Sequence, residues 1–110
     1  MPFAIRDKSL QKSINATIAA IAGGYKPKKI IVFGSFARGD YHQGSDLDLI
    51  IVKNTEEKFL DRMGRIADLC PEGLVVEAFV YTEKEMADML ASGNRFLEMA
   101  LEEGKVVYEE

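Results

Sequence analysis

"VFGSFARGDYHQGSDLDLIIV", residues 32–52, joins two β-branched runs through a glycine-marked turn and sets two acids two residues apart at the start of the second run. Side chains alternate across a strand, so Asp46 and Asp48 share one face while Leu47 and Leu49 take the other. Two carboxylates about 5 Å apart at an effective dielectric of about 20 repel by roughly 3 kcal/mol. No Lys or Arg stands between them to cancel this. A cation from outside the chain would relieve the repulsion. Hard divalent ions with oxygen ligands suit such a pair, and Mg²⁺ in particular takes one or two carboxylates and completes its shell with substrate phosphates.

Upstream, Gly34-Ser35 follows the first run directly. Glycine lets the backbone approach a ligand closely, serine adds a hydroxyl, and the turn beyond exposes N–H groups to an anion. Arg38, a helical turn past Ser35, offers a guanidinium fork to the same anion. A phosphate clamp and a carboxylate metal site carried by adjacent strand ends describe phosphoryl or nucleotidyl transfer.

Outward from this stretch the chain alternates helix and strand. Leu10, Ile14, Ile18 and Ile21 recur at helical spacing, and Gly23-Gly24 with Pro27 beyond predicts the end of that helix. "KKIIVF" and "DLDLIIV" are the two strands around the turn, and "GLVVEAFVY" is a third. Between the second and third, Phe59, Leu60, Met63, Ile66, Ala67 and Cys70 form an apolar stripe, with Lys58, Asp61, Arg62, Arg65 and Asp68 opposite. Thr82 and Glu85 have capping-box spacing and open a helix to about Ala91; Asn94 to Glu103 is another, stopped by Gly104 before the extended "KVVYEE". The order αβ(turn)βαβααβ is that of an α/β (α+β) domain. The hop from Phe33 to Asp46 is too short and polar for a helical crossover, so a small mixed sheet flanked by helices is expected.

The 110 residues suit one domain, taken as 1–110, and hydrophobic residues at 47% with charged residues at 29% mark a folded protein. A formal charge of −4 argues against extended nucleic-acid binding, which needs Lys and Arg in excess. No stretch resembles a signal peptide or reaches the roughly 20 apolar residues of a membrane helix, so the expected location is cytoplasmic. One Cys, Cys70, and one His, His42, exclude an internal disulfide, a zinc cluster and a Cys-His or Ser-His-Asp triad, leaving oxygen as the ligand for any metal. Cys70, Met86, Met89 and Met99 are read as core filler, Tyr41 and His42 as loop surface, and Glu102, Glu103, Glu109 and Glu110 as a solvated tail.

Taken together, Gly34-Ser35, Ala37-Arg38-Gly39 and Ser45-Asp46-Leu47-Asp48-Leu49 resemble the signature of the DNA polymerase beta-like nucleotidyltransferase superfamily, its minimal nucleotidyltransferase members above all; the closing "NRFLEMALEEGKVVYEE" is similar to the end of that small domain. The resemblance implies a nucleotidyltransferase fold in which Gly34, Ser35 and Arg38 bind nucleotide. Asp46, Asp48 and Glu77 would be the catalytic and metal-binding acids, with two Mg²⁺ ions in the substrate complex and Mn²⁺ as a substitute. Glu77 stands where the family usually has Asp, one methylene shorter. The implied activity is transfer of a nucleoside monophosphate, AMP favoured, from an NTP, ATP favoured, to an acceptor hydroxyl, with a helical HEPN-type protein or a second copy of the chain as partner. The alternative the resemblance carries is an antitoxin, a binding module that neutralises a HEPN-type toxin.

Overall fold

The computed structural model describes residues 3–110. Helix α1, Lys8–Tyr25, is capped by the Asp7 carboxylate, which accepts the Ser9 and Leu10 N–H groups at 3.0 and 3.1 Å. It buries Ile14, Thr17, Ile18, Ile21 and Tyr25. Gly23-Gly24 does not end this helix, contrary to expectation; Lys26 does, in the left-handed conformation at φ 54°. Gly24 serves packing instead. A Cβ there would stand 2.5 Å from a Leu69 methyl, so its absence lets α1 lie against the end of α3, Phe59–Leu69.

The remaining elements are β1 Lys29–Phe33, the one-turn helix α2 Ser35–Arg38, β2 Leu47–Val52, β3 Val76–Tyr81, α4 Glu83–Ala91, α5 Arg95–Glu103 and β4 Lys105–Glu109. The expected order holds, with α2 filling the turn between the first two strands. The sheet is mixed, in the order β3-β2-β1-β4, with β1 antiparallel to both neighbours and β2 parallel to β3. Helix α3 is the crossover that the parallel pair requires.

Each sheet face carries its own apolar cluster. Ile30, Val32, Leu47, Leu49, Ile51 and Val80 pack with α1 and Ile66 of α3. On the opposite face Ile31, Phe33 and Ile50 pack with Leu97 and Ala100 of α5. The predicted capping box at Thr82 is complete: Thr82 Oγ1 accepts the Glu85 N–H at 3.0 Å and Glu85 Oε1 accepts the Thr82 N–H at 2.8 Å. Among the described residues no helix is long and apolar enough to cross a membrane.

Helix α3 is rotated from the predicted stripe. Leu60 is 77% exposed and Ala67 also faces solvent, whereas Arg62, expected on the polar side, is only 5% exposed. The guanidinium tolerates burial because its donors are met. Nε donates to the Glu57 carbonyl at 2.8 Å, Nη1 to the Val80 carbonyl at 3.1 Å and to Glu85 Oε1 at 2.6 Å, and Nη2 to Glu85 Oε2 at 3.1 Å. Arg62 thereby ties α3 to β3 and to the first turn of α4.

Candidate active site

The site lies where β1 ends and β2 and β3 begin. After Phe33 the chain turns at Gly34, whose φ of 76° and ψ of −154° belong to a region glycine alone enters readily. Helix α2 follows at once, closed by the Gly39 N–H donating to the Ser35 carbonyl at 2.9 Å. The chain returns through a turn in which Ser45 Oγ accepts the His42 N–H and the Ser45 N–H donates to the His42 carbonyl, both at 2.9 Å. That turn delivers Asp46 to the mouth of β2.

Strand register then assembles the acids. Asp48 is paired with Phe33 on one side and with Glu77 on the other. Paired residues share a face and neighbouring strands run about 4.8 Å apart, so Asp48 and Glu77 stand side by side and Asp46 lies two residues away on the same face. This is the α5 side of the sheet, where Phe33, Phe79 and Phe96 form a contiguous aromatic cluster with ring centroids 5.3 to 6.3 Å apart. Asp46 and Glu77 are exposed; Asp48, between them, is half-buried. Burial first, then the charges of Glu77 and Asp46, push the Asp48 carboxyl up to about 6, with Arg38 opposing and Glu103 adding to the rise.

Gly34, Ser35 and Arg38 form one wall of a cleft of about 510 Å³, Asp46, Asp48 and Glu77 another, and the aromatic cluster its floor. All six residues picked out in the sequence therefore face one cavity. Gly34 lies so close to Asp48 that a Cβ there would be 3.1 Å from the Asp48 Cγ. Of the loop residues, His42 lines the cleft, whereas Tyr41 stacks on Phe36 at 4.9 Å and accepts the Asp7 N–H at 3.3 Å, a structural role. Met99, expected in the core, is 46% exposed and lines the cleft.

Contrary to expectation, Glu103 is not solvated tail. Its side chain is 17% exposed, and Oε2 accepts the Gly34 N–H at 2.6 Å. Both its oxygens also accept from Arg38 Nη1, at 3.2 and 3.3 Å, while Arg38 Nε donates to Asp40 at 3.2 Å. Hydrogen bonds to Asp40 and Glu103 hold the guanidinium above its ordinary value. Its spacing from Phe96 and Met99 puts Glu103 on the cleft face of α5, a signal present in the sequence.

Comparison with known proteins is consistent along nearly the whole chain. The profile of the family described as "Nucleotidyltransferase domain" matches residues 17–107. A Methanocaldococcus jannaschii protein named "Putative protein adenylyltransferase" is 35% identical over 107 residues, which span 93% of this chain and 97% of that one. The crystal structure of a "putative nucleotidyltransferase" from Sulfolobus solfataricus superposes with a TM-score of 0.60 at 18% identity, covering 96% of this chain and 90% of its own. The likeness to the last is one of fold.

Proposed function

Because the chain belongs to the nucleotidyltransferase domain family, we propose that it transfers a nucleoside monophosphate, AMP from ATP first of all, to a hydroxyl of an acceptor protein, with pyrophosphate leaving. The observation that carries this reading is the side-by-side placement of Asp48 and Glu77 directly across from the Gly34 turn, in one cleft. The preference for AMP and for a protein acceptor is supported by the name of the Methanocaldococcus relative. A helical HEPN-type chain is the partner to try first.

In this mechanism Gly34 and Ser35 seat the triphosphate through backbone N–H and hydroxyl, and Arg38 orients it through its fork. Asp46 and Asp48, with Glu77 as a third oxygen donor, fit a hard divalent cation such as Mg²⁺ or Mn²⁺. All three are carboxylates, and Asp48 is held above its ordinary range in part by the other two. Among the described residues no three His, Cys, Asp or Glu form a metal-holding group by themselves, so this reading requires nucleotide phosphates to complete the shell. When bound, the cation supplies charge neutralisation on the transferring phosphoryl group and the leaving pyrophosphate. Glu77 takes the proton of the attacking hydroxyl as its oxygen bonds to the α-phosphorus and the bond from that phosphorus to the pyrophosphate oxygen breaks.

The test is incubation with α-labelled ATP and Mg²⁺, with and without a candidate helical partner. Label fixed to protein with stoichiometric pyrophosphate supports the reading. Release of ADP and phosphate without labelled protein would assign a different reaction.

A further inference from the structure

The donors that would receive a nucleotide phosphate already hold an anion of the chain's own. Glu103 Oε2 accepts from both the Gly34 N–H, at 2.6 Å, and Arg38 Nη1, at 3.2 Å. A carboxylate across these two donors reproduces part of the oxygen pattern of a bound phosphate.

The placement is built into the packing. A Cβ at the next residue, Gly104, would lie 2.5 Å from the Ala100 carbonyl oxygen, 2.7 Å from Ile31 Cγ2 and 3.2 Å from the Val32 carbonyl oxygen. Only glycine lets α5 end pressed against β1, and that contact carries Glu103 over the turn that follows β1. Its neighbour Glu102 is exposed. The charge distribution adds a second observation. Among the described residues lining the cleft, Arg38 is the one Lys or Arg, against Asp46, Asp48, Glu77 and Glu103, and it is clamped between Asp40 and Glu103. Without Glu103, Nε would keep its bond to Asp40 while Nη1 would lose the partner it has here.

We propose that Glu103 is the resident anion of the phosphate subsite, which a nucleotide's phosphate displaces from Gly34 and Arg38 on binding and which reoccupies them when the phosphate leaves. The proposal rests on the nucleotidyltransferase reading and adds to it a residue that sets the affinity of the subsite. Displacement costs the same for every ligand that seats a phosphate there, and nothing for one that does not.

Calorimetry on the wild type, Glu103→Gln and Glu103→Ala with tripolyphosphate, Mg²⁺-ATP and adenosine tests this, beside thermal melts to establish folding. Both variants should bind tripolyphosphate and ATP at least about tenfold more tightly, because displacement breaks the charge-assisted hydrogen bonds that Glu103 accepts from both Gly34 and Arg38, with adenosine unchanged. Glu103→Gln keeps side-chain length and an acceptor for Gly34, so it carries the test should the alanine variant fail to fold. If ATP binds all folded forms equally, or binds the variants more weakly, Glu103 is a brace of the turn and the proposal falls while the nucleotidyltransferase reading stands. If neither ATP nor tripolyphosphate binds any form, that reading falls and takes the proposal with it.

Discussion

Gly34 and Asp48 touch in a way that only a residue without a side chain permits: a Cβ on residue 34 would stand 3.1 Å from the Asp48 Cγ and 3.3 Å from its Cβ. The φ of 76° adds backbone strain for any L side chain, most of all a β-branched one. Gly34→Val should therefore abolish Mg²⁺-ATP binding and cost about 2 kcal/mol or more of stability. Ser35→Ala removes one hydroxyl and should weaken binding by only about 1 kcal/mol, roughly fivefold. Calorimetry and urea melts on both variants give the ranking. Normal nucleotide binding by a folded Gly34→Val protein would place the phosphate turn elsewhere.

Asp48 predicts an unusual pH dependence. Its carboxyl is pushed up to about 6 in the folded protein, from an ordinary value of 3.8, chiefly by burial and then by Glu77 and Asp46. Between those two pH values the folded state holds more protons than the unfolded one, so stability falls as pH rises through the window and is lowest above it. Glu85 acts oppositely. Its hydrogen bond from Arg62 lowers it, so its contribution is present above the ordinary carboxylate range and is lost only on stronger acidification. In EDTA the free energy of unfolding should rise on going from pH 7 to pH 5 by on the order of 1 kcal/mol once solvent screening of a half-exposed group is allowed for, and the melting temperature should rise with it. Asp48→Asn should flatten that slope; a slope unchanged by the substitution would assign it to another group.

What could be read from the sequence was what depends on local period. Asp46 and Asp48 share a face because they are two apart, the caps at Thr82 and Asn94 sit where side-chain chemistry puts them, and Gly104 ends α5 as its glycine predicts. Gly24 is ambiguous in sequence because glycine serves both to end helices and to admit a close neighbour, and only the position of Leu69 distinguishes the two. Arg62 was assigned to solvent by its charge, while partners 18 and 23 residues away, Val80 and Glu85, make burial tolerable. Glu103 meets Gly34 across 69 residues; its helical spacing gives the face it takes, but the partner is set by α5 packing on β1.

Arg62 carries a prediction about stability alone. Arg62→Ala would strip the Glu57 and Val80 carbonyls and both Glu85 oxygens of a partner at once. Because Glu85 is 43% exposed and can regain water, the expected loss is about 3 kcal/mol, the lower end for breaking a buried ion pair. Arg62→Met, which keeps the packed stem, should lose less. An unfolding free energy from urea melts for Arg62→Ala within about 0.5 kcal/mol of wild type would show that the network contributes no net stability.

The sharpest prediction concerns the two acids from which the sequence was read. If Asp46 and Asp48 are there to hold a cation, Asn at both positions should abolish transfer of labelled AMP and leave the fold as stable or more so, because the change removes repulsion among Asp46, Asp48 and Glu77 that Arg38 only partly opposes. Burial supplies most of the rise of Asp48 toward 6, and the part that Glu77 and Asp46 add is the same repulsion seen from the proton's side. Acids kept for structure behave in the opposite way, and their replacement lowers stability with activity following only as the folded fraction falls. Neither carboxylate makes a side-chain hydrogen bond or ion pair among those found for the described residues, whereas the structural acids Asp7, Glu57 and Glu85 all do. Melts of wild type and the double variant in EDTA and in Mg²⁺ with ATP decide between the two, beside the labelling assay. A double variant that melts at or above wild type in EDTA, gains nothing from Mg²⁺ and ATP, and transfers no label is the expected result. One that melts well below wild type in EDTA while its folded fraction still transfers AMP would remove the metal from these two residues.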